Sequence, residues 1–432
     1  MAGRMARKPR ICFTIPSIYP LFNPENKTSF GGWEVRIALI AKELARRGKI
    51  DVNLVVADHG QPHIEKREGV VLYSWEGRAL WGIPTPVKSW GVLLRRRIDQ
   101  LIYKYLKPSQ KPFIGQVGQV GDYPIRTDMI SIYDEIDADI YIVPGNSESS
   151  TEVAFYCKQH GKKYVFLAGS DIDYVPEHKT HPEKRDLYGV SYYSKAYAIE
   201  SAVAHLVQNE HQAHLLKTGY GRTGTVIKNP IDLNRKFART TATKTILWVG
   251  TSNETVKRPS LILELARQLP QIGFVVFMLR GHEELHKKCL AEAQGLSNVT
   301  LFEYVPFEEI ERYFANAHLH VNTSTFEGFP NTFLQAAKYG VPTVSLKVDP
   351  GGMLSQHHCG VACKDDFEAF KQTVQSLMTD IQLHENYSRQ SLDYIKTHHD
   401  KDIIIPKYEE VFLELYNSQE NLHLNATNRG ER

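Results

Sequence analysis

The chain has 432 residues, with 52 Lys and Arg against 49 Asp and Glu, for a formal net charge of +3. It exceeds the roughly 250 to 300 residues at which a single hydrophobic core stops growing, so it divides into at least two domains. The charge balance leaves no global field to capture nucleic acid, and an apolar fraction of 42% excludes a disordered chain.

Short apolar runs alternate with helix-like segments along the whole chain, the pattern of parallel sheets with helical crossovers. In the first half the predicted strands are Ile11 to Ile15, Val52 to Ala57, Ile140 to Val143, Tyr164 to Ala168 and Ala204 to Gln208. The second half restarts with Thr245 to Val249, then Phe274 to Leu279, Val299 to Phe302, Leu319 to Asn322 and Thr343 to Leu346. Lys228-Asn-Pro-Ile-Asp232 and the Thr-rich run Ala238 to Lys244 read as the join. The sequence therefore predicts an amino-terminal domain over 1–235, a second over 236–399, a helix over 400–416 that crosses back to the first, and a polar tail over 417–432.

One segment departs from this alternation. Trp75 to Tyr123 is rich in Gly, Pro and Trp around a predicted helix, Trp90 to Lys107, that carries Arg95, Arg96, Arg97, Lys104 and Lys107. The plain reading is a domain helix with a solvated charged face; the sharper one is a peripheral contact with an anionic membrane or a lipid-linked acceptor. No run approaches eighteen uninterrupted apolar residues, so no membrane-crossing helix is expected. Five scattered cysteines (Cys12, Cys157, Cys289, Cys359, Cys363) and a basic start that runs directly into Ile11-Cys-Phe suggest a cytoplasmic protein, peripheral at most to the inner face of the membrane. His357-His358-Cys359 with Cys363 lacks the spacing of a zinc site, so no metal is expected, and His398-His399 reads as a surface pair.

The stretch Thr323 to Ser345 carries the most chemistry. It reads as a strand end, a tight loop at Glu327-Gly328-Phe329, a helix entered at Pro330 and stopped at Gly340, and a following strand. Backbone N–H groups of Asn331, Thr332 and Phe333 would then point from the carboxyl edge of a parallel sheet, where a helix start receives phosphate. Glu327, a carboxylate just before that start, would repel bare phosphate and so suits uncharged sugar hydroxyls. A nucleotide-sugar supplies both groups.

Phe326-Glu-Gly-Phe-Pro-Asn-Thr-Phe-Leu-Gln-Ala-Ala337 resembles the signature of the retaining, glycogen-synthase-like glycosyltransferases of family four. Ser29 to Gly48, whose Gly31-Gly32 pair in that family approaches donor and acceptor, Leu206 to Leu216, Val226 to Asp232, and Ile246 to Gly250 with Lys257-Arg258-Pro259 are similar to that family's other landmarks. The resemblance implies a GT-B fold, two Rossmann-like doubly wound parallel-sheet domains facing a cleft, with 1–235 as the acceptor-side domain and 236–399 as the nucleotide-sugar-binding domain. It implies Glu327 and Lys257 as catalytic residues, Glu327 on the transferred sugar and Lys257 on the diphosphate. It places Gly31, Gly32, Thr251, Arg258, Gly328, Phe329, Pro330, Asn331, Thr332 and Gln335 around the donor.

Three departures from the pattern matter. Thr251 stands where the family commonly has Arg, with Arg258 as a partial substitute. Gln335 replaces the second acidic residue, whose carboxylate usually receives ribose hydroxyls. Gly169-Ser-Asp-Ile-Asp173 stands where many relatives carry a histidine, leaving Asp171 and Asp173 as candidates for the cleft. The implied activity is transfer of a sugar from a UDP- or GDP-sugar to a polysaccharide, lipid-linked glycan or glycoconjugate acceptor, with retention and with neither metal nor cofactor. The alternatives are a non-catalytic nucleotide-sugar-binding relative and a GT-B-fold sugar-nucleotide epimerase. An NAD enzyme is disfavoured, since no Gly-x-Gly-x-x-Gly follows a strand.

Overall fold

The structure, a computed structural model, describes residues 7–427 apart from 29, 76–116, 121–122, 187–188 and 241–243. The basic segment 90–107 lies outside the described residues. Contacts divide the chain into two compact units, Lys228–Ile404 on the one hand and Met1–Ile227 together with Ile405–Arg432 on the other.

The first unit is built on an eight-stranded sheet. Its strands are β1 (Arg10–Thr14), β2 (Asp51–Ala57), β3 (Ile64–Arg67), β4 (Val70–Trp75), β7 (Ile140–Pro144), β8 (Lys163–Leu167), β9 (Ala204–Val207) and β10 (Thr225–Val226), while β5 (Val117–Val120) and β6 (Tyr123–Arg126) pair separately as a hairpin. The order is β10-β9-β8-β7-β1-β2-β4-β3, all parallel except the β3/β4 edge. The chain runs outward from β1 in one direction through β2 and β4, and in the other through β7, β8 and β9. The direction reverses between β1 and β7, the switch point at which an open α/β sheet leaves a crevice beyond its strand ends.

Helix α1 (Gly32–Arg47) leaves the β1 side of that crevice and covers the sheet with Ile37, Ile40, Ala41 and Leu44, all fully buried at helical spacing. Gly48, at φ +72°, stops it in the left-handed conformation that favours glycine. The closing helix α7 (Lys401–Thr427) packs on this unit from Ile405 onward. Tyr408 Oη accepts from Arg36 Nη2 (3.3 Å), Phe412 meets Phe13 edge-on, and Glu409 receives Arg47 and Lys49.

The second unit holds a six-stranded, wholly parallel sheet of β11 (Thr245–Thr251), β12 (Gly273–Leu279), β13 (Val299–Phe302), β14 (Leu319–Asn322), β15 (Thr343–Ser345) and β16 (Gly360–Ala362), in the order β13-β12-β11-β14-β15-β16. Here the reversal falls between β11 and β14. These strands are near-continuous apolar runs because helices cover both faces. None of the described helices is long and apolar enough to cross a membrane.

His398-His399 corrects the expectation of a surface pair. Helix α6 (Ile381–His398) ends there and the chain turns inward, so His399 is wholly buried, bonded at Nδ1 to the Asn229 carbonyl (2.7 Å) and at Nε2 to Tyr394 Oη (3.3 Å). Cys359 is likewise buried, its thiol directed at the carbonyls of His357 and Gln390.

Burial pushes His399, His205 and His320 each down to about 3, chiefly by desolvation. The unfolded chain protonates these rings near their ordinary value of about 6.5, whereas the folded chain holds them neutral, so stability is lost as pH falls from about 6.5 toward 3. The expected loss is about 2 kcal/mol for each ring between pH 7 and pH 5. Urea unfolding at the two pH values measures it, and equal stabilities would contradict the assignment.

Candidate functional site

Lys257 follows β11 and Glu327 follows β14, so the two lie on either side of the second unit's switch point. They form an ion pair, Lys257 Nζ on Glu327 Oε1, with both side chains partly exposed. Ser324 Oγ donates to the same carboxylate oxygen (2.7 Å), holding Glu327 from its own loop.

The two loops are tied together beneath this pair. Thr325 N–H donates to the Val256 carbonyl (2.8 Å), and Thr323 Oγ1 donates to the Lys257 carbonyl (2.6 Å) while accepting from Trp248 Nε1 (2.9 Å). Trp248 is buried directly under the site, and a Cβ at Gly250 would stand 2.6 Å from its ring, so only glycine fits that strand position. Asn253 shapes the turn before Lys257, its Oδ1 accepting from Val256 N–H (3.1 Å) and its carbonyl accepting from Lys257 N–H (2.8 Å). The backbone around the pair is thus fixed by the fold before any ligand arrives.

Arg258 is committed elsewhere than expected. Its guanidinium donates from Nε to the Thr323 carbonyl (2.6 Å), from Nη2 to the Ser324 carbonyl (3.2 Å) and from Nη1 to Asp365 (2.6 Å). It sits at φ +50° as the residue before helix α4 (Pro259–Gln268). It clamps the β14 loop, while Thr251 is the last residue of β11.

Helix α5 (Asn331–Lys338) starts after Pro330, as the sequence predicts. The expectation of three open N–H groups needs correcting at Phe333, whose N–H closes onto the Pro330 carbonyl (3.1 Å). Asn331, Thr332 and Gln335 are half-buried, and Gly328 and Pro330 are buried. The Phe329 ring packs into the core against His399, and its carbonyl accepts from Asn229 Nδ2 (3.1 Å), so its side chain belongs to the core.

In the first unit Gly31 and Gly32 open α1 and are exposed. The Gly31 N–H is taken by Glu34 Oε2 (2.8 Å), which closes the helix start on itself. Asp171 is half-exposed beside Gln212, whose Nε2 donates to it (3.0 Å). Asp173 does not face outward: it is 3% exposed and accepts N–H bonds from Asn146 (3.1 Å), Gly169 (2.8 Å) and Ser170 (2.9 Å). Burial raises its carboxyl above the ordinary range, against these donors and Lys195. Asp173 is a strut between the loops after β7 and β8.

Sequence reasoning did not single out Ser324, Asn253 or Asn146. Ser324 lies inside the run that carries the signature, three residues before Glu327, a separation at which a loop serine readily reaches a carboxylate; Asn253 shows the usual preference of Asn for turns.

Residues 243–380 match the family model described as Glycosyl transferases group 1. No curated protein matches the chain in sequence. Among solved structures the chain is similar to a sucrose-phosphate synthase from Thermosynechococcus elongatus, at TM-score 0.70 and 12% identity over 95% of this chain and 100% of that one. It is also similar to TarM of S. aureus in complex with fondaparinux, alpha-GlcNAc-glycerol and UDP, at TM-score 0.64 and 13% identity over 95% and 100%. A third is HepE of Anabaena in complex with UDP and glucose, at TM-score 0.62 and 15% identity over 94% and 100%. At such identities the likeness is one of fold: the chain has the two Rossmann-like sheets of the GT-B class. Its second unit, in addition, carries the sequence pattern of group 1 glycosyltransferases.

Proposed function

We propose that this chain is a retaining, metal-independent glycosyltransferase that takes a sugar from a UDP- or GDP-sugar and passes it to a glycan or lipid-linked acceptor. The observation that carries the reading is the Lys257–Glu327 pair astride the switch point, one residue suited to phosphate and the other to sugar hydroxyls, with the start of α5 four residues beyond Glu327. The group 1 match over 243–380 spans all of these residues. The UDP held in the TarM and HepE structures makes a uridine donor the first to try.

In this account the diphosphate, which carries more negative charge than one carboxylate, draws the Lys257 ammonium away from Glu327. Glu327 keeps its bond from Ser324 and offers its other lone pairs to the sugar. As the bond from sugar to phosphate breaks, negative charge grows on the diphosphate and positive charge at the anomeric carbon. Lys257 and the first amides of α5 stabilise the former, and Glu327 offsets the latter.

A second reading is favoured by particular residues. Thr251 and Gln335 lack the charges the family pattern carries, and Arg258 is held by two carbonyls and Asp365, which suits a relative that binds nucleotide-sugar without transferring it. Incubating the protein with UDP- and GDP-sugars in excess EDTA, with and without a mixed glycan acceptor pool, separates the readings. The transferase releases nucleoside diphosphate and yields a product of unchanged anomeric configuration. A binding protein leaves the donor intact, and an epimerase changes the sugar without any acceptor.

A further inference from the structure

Two buried polar side chains of the second unit, Asn229 at 1% and His399 at 0% exposure, meet at Phe329. Asn229 Nδ2 donates to the Phe329 carbonyl (3.1 Å). His399 Nδ1 donates to the Asn229 carbonyl (2.7 Å), since a carbonyl can only accept. The His399 ring also packs on the Phe329 ring, with centroids 4.7 Å apart. Phe329 is therefore held at its carbonyl by one residue and at its ring by the other.

The two holders are locked to each other by more than this. The His399 carbonyl accepts from Ile231 N–H (2.8 Å), Lys401 N–H donates to the Ile231 carbonyl (3.0 Å), and Lys401 Nζ meets Asp232 (3.0 Å). The chain around 229–232 and the chain around 399–401 thus run side by side, with Ile231 and Asp400 as bridge partners. With its nitrogen turned to Phe329, Asn229 leaves Oδ1 buried with no partner among the described residues. An unpaired buried acceptor is costly, and packing alone does not ask for one here.

Phe329 stands midway in the proposed site, two residues after Glu327 and two before Asn331, the first residue of α5. Glu327 is anchored on its own side by Ser324 and by the tie from Thr325 to Val256, and α5 is anchored by the buried Phe333, Leu334 and Ala337. Phe329 is the link between these two anchors. We propose that Asn229 and His399 are positioning residues that set the spacing between the Glu327 carboxylate and the start of α5, so that one nucleotide-sugar meets both at once. This inference rests on the transferase reading for its ligand and adds the two residues that align the ligand's halves. Lys257, on its flexible stem, can follow a shifted phosphate, whereas Glu327 is pinned by Ser324 and cannot. Loss of the spacing therefore tells on the intact donor far more than on the free diphosphate.

The test takes the full chain as wild type, Asn229→Ala, His399→Phe and Tyr394→Phe, with melting temperatures recorded for each. Calorimetry in excess EDTA measures UDP, GDP, UDP-glucose, UDP-galactose, UDP-N-acetylglucosamine and GDP-mannose. Asn229→Ala should bind the nucleotide-sugar preferred by the wild type about tenfold more weakly, with the matching free diphosphate within about threefold. Where the wild type releases diphosphate from that donor, the rate per folded molecule should fall on the order of 10- to 100-fold. His399→Phe keeps a ring on Phe329 but loses the bond to Asn229, and should show the same split, so the test survives if Asn229→Ala does not fold. Tyr394→Phe removes only the hydroxyl at Nε2 of His399, and should lower the melting temperature while both affinities stay as in the wild type. Unchanged donor affinity in the folded Asn229 and His399 variants, an equal loss of donor and diphosphate, or the same split in Tyr394→Phe would overturn the positioning role and leave the transferase reading standing. A wild type that binds no nucleotide-sugar would sink the transferase reading and the positioning role with it.

Discussion

Replacing Glu327 by alanine is expected to lower sugar transfer on the order of a hundredfold or more, the scale of removing one preorganised electrostatic contact from a reacting centre. The carboxylate sits on the tied loop after β14, held by Ser324 Oγ, so its loss removes a contact and not the loop. The free nucleoside diphosphate has no sugar and should bind the variant at least as tightly as the wild type. It should bind more tightly if anything, since Lys257 no longer has to leave an ionic partner. Turnover with the full donor, beside titration with the free diphosphate, reads both effects. A Glu327→Ala protein with normal turnover would remove Glu327 from the reaction.

Lys257→Ala is expected to do the opposite to the nucleotide. In the proposed reading its ammonium is the charge that meets the phosphates, with Thr251 uncharged and Arg258 bonded to Thr323, Ser324 and Asp365. A charge-assisted hydrogen bond contributes about 1.5 to 3 kcal/mol, so affinity for the free diphosphate should fall roughly 10- to 150-fold. The two variants therefore separate: one loses the sugar's contact and keeps the nucleotide, the other weakens both. A Lys257→Ala protein that binds the diphosphate like wild type would place the phosphates elsewhere.

The sheets were legible in the sequence because strands buried on both faces are apolar runs that stand out against amphipathic helices. All ten expected strands are present, with ends displaced by a residue or so. Of those not foreseen, β4 is a six-residue inner strand whose alternating burial was passed over, while β3 at the edge is mostly exposed, β10 has two residues, and β16 has three, beside two cysteines that drew attention to metal instead. Apolar periodicity has little to work with in so few residues.

The start and end of α5 were readable because Pro and Gly mark them by backbone geometry. What could not be read was the set of partners. Lys257 and Glu327 lie 70 residues apart, and only the adjacency of β11 and β14 brings them together. Arg258 looked available because nothing local shows that two carbonyls from the loop after β14 would claim it. Asp173 looked like a loop carboxylate, yet the donors that bury it come partly from the loop after β7. The helix-start amide of Gly31 was lost to a contact only three residues away, and there the cue was present in the sequence, a Glu at the third helical position.

If the proposed function holds, the second unit's switch point binds a nucleoside diphosphate through Lys257 without a metal. Calorimetric titration of UDP and GDP into the wild type and Lys257→Ala proteins, in excess EDTA, tests it most directly. The account predicts saturable one-to-one binding of at least one of the two nucleotides to the wild type, weakened roughly 10- to 150-fold in the variant. Binding that appears only when Mg²⁺ or Mn²⁺ replaces the chelator, or that is equal in the two proteins, would contradict it.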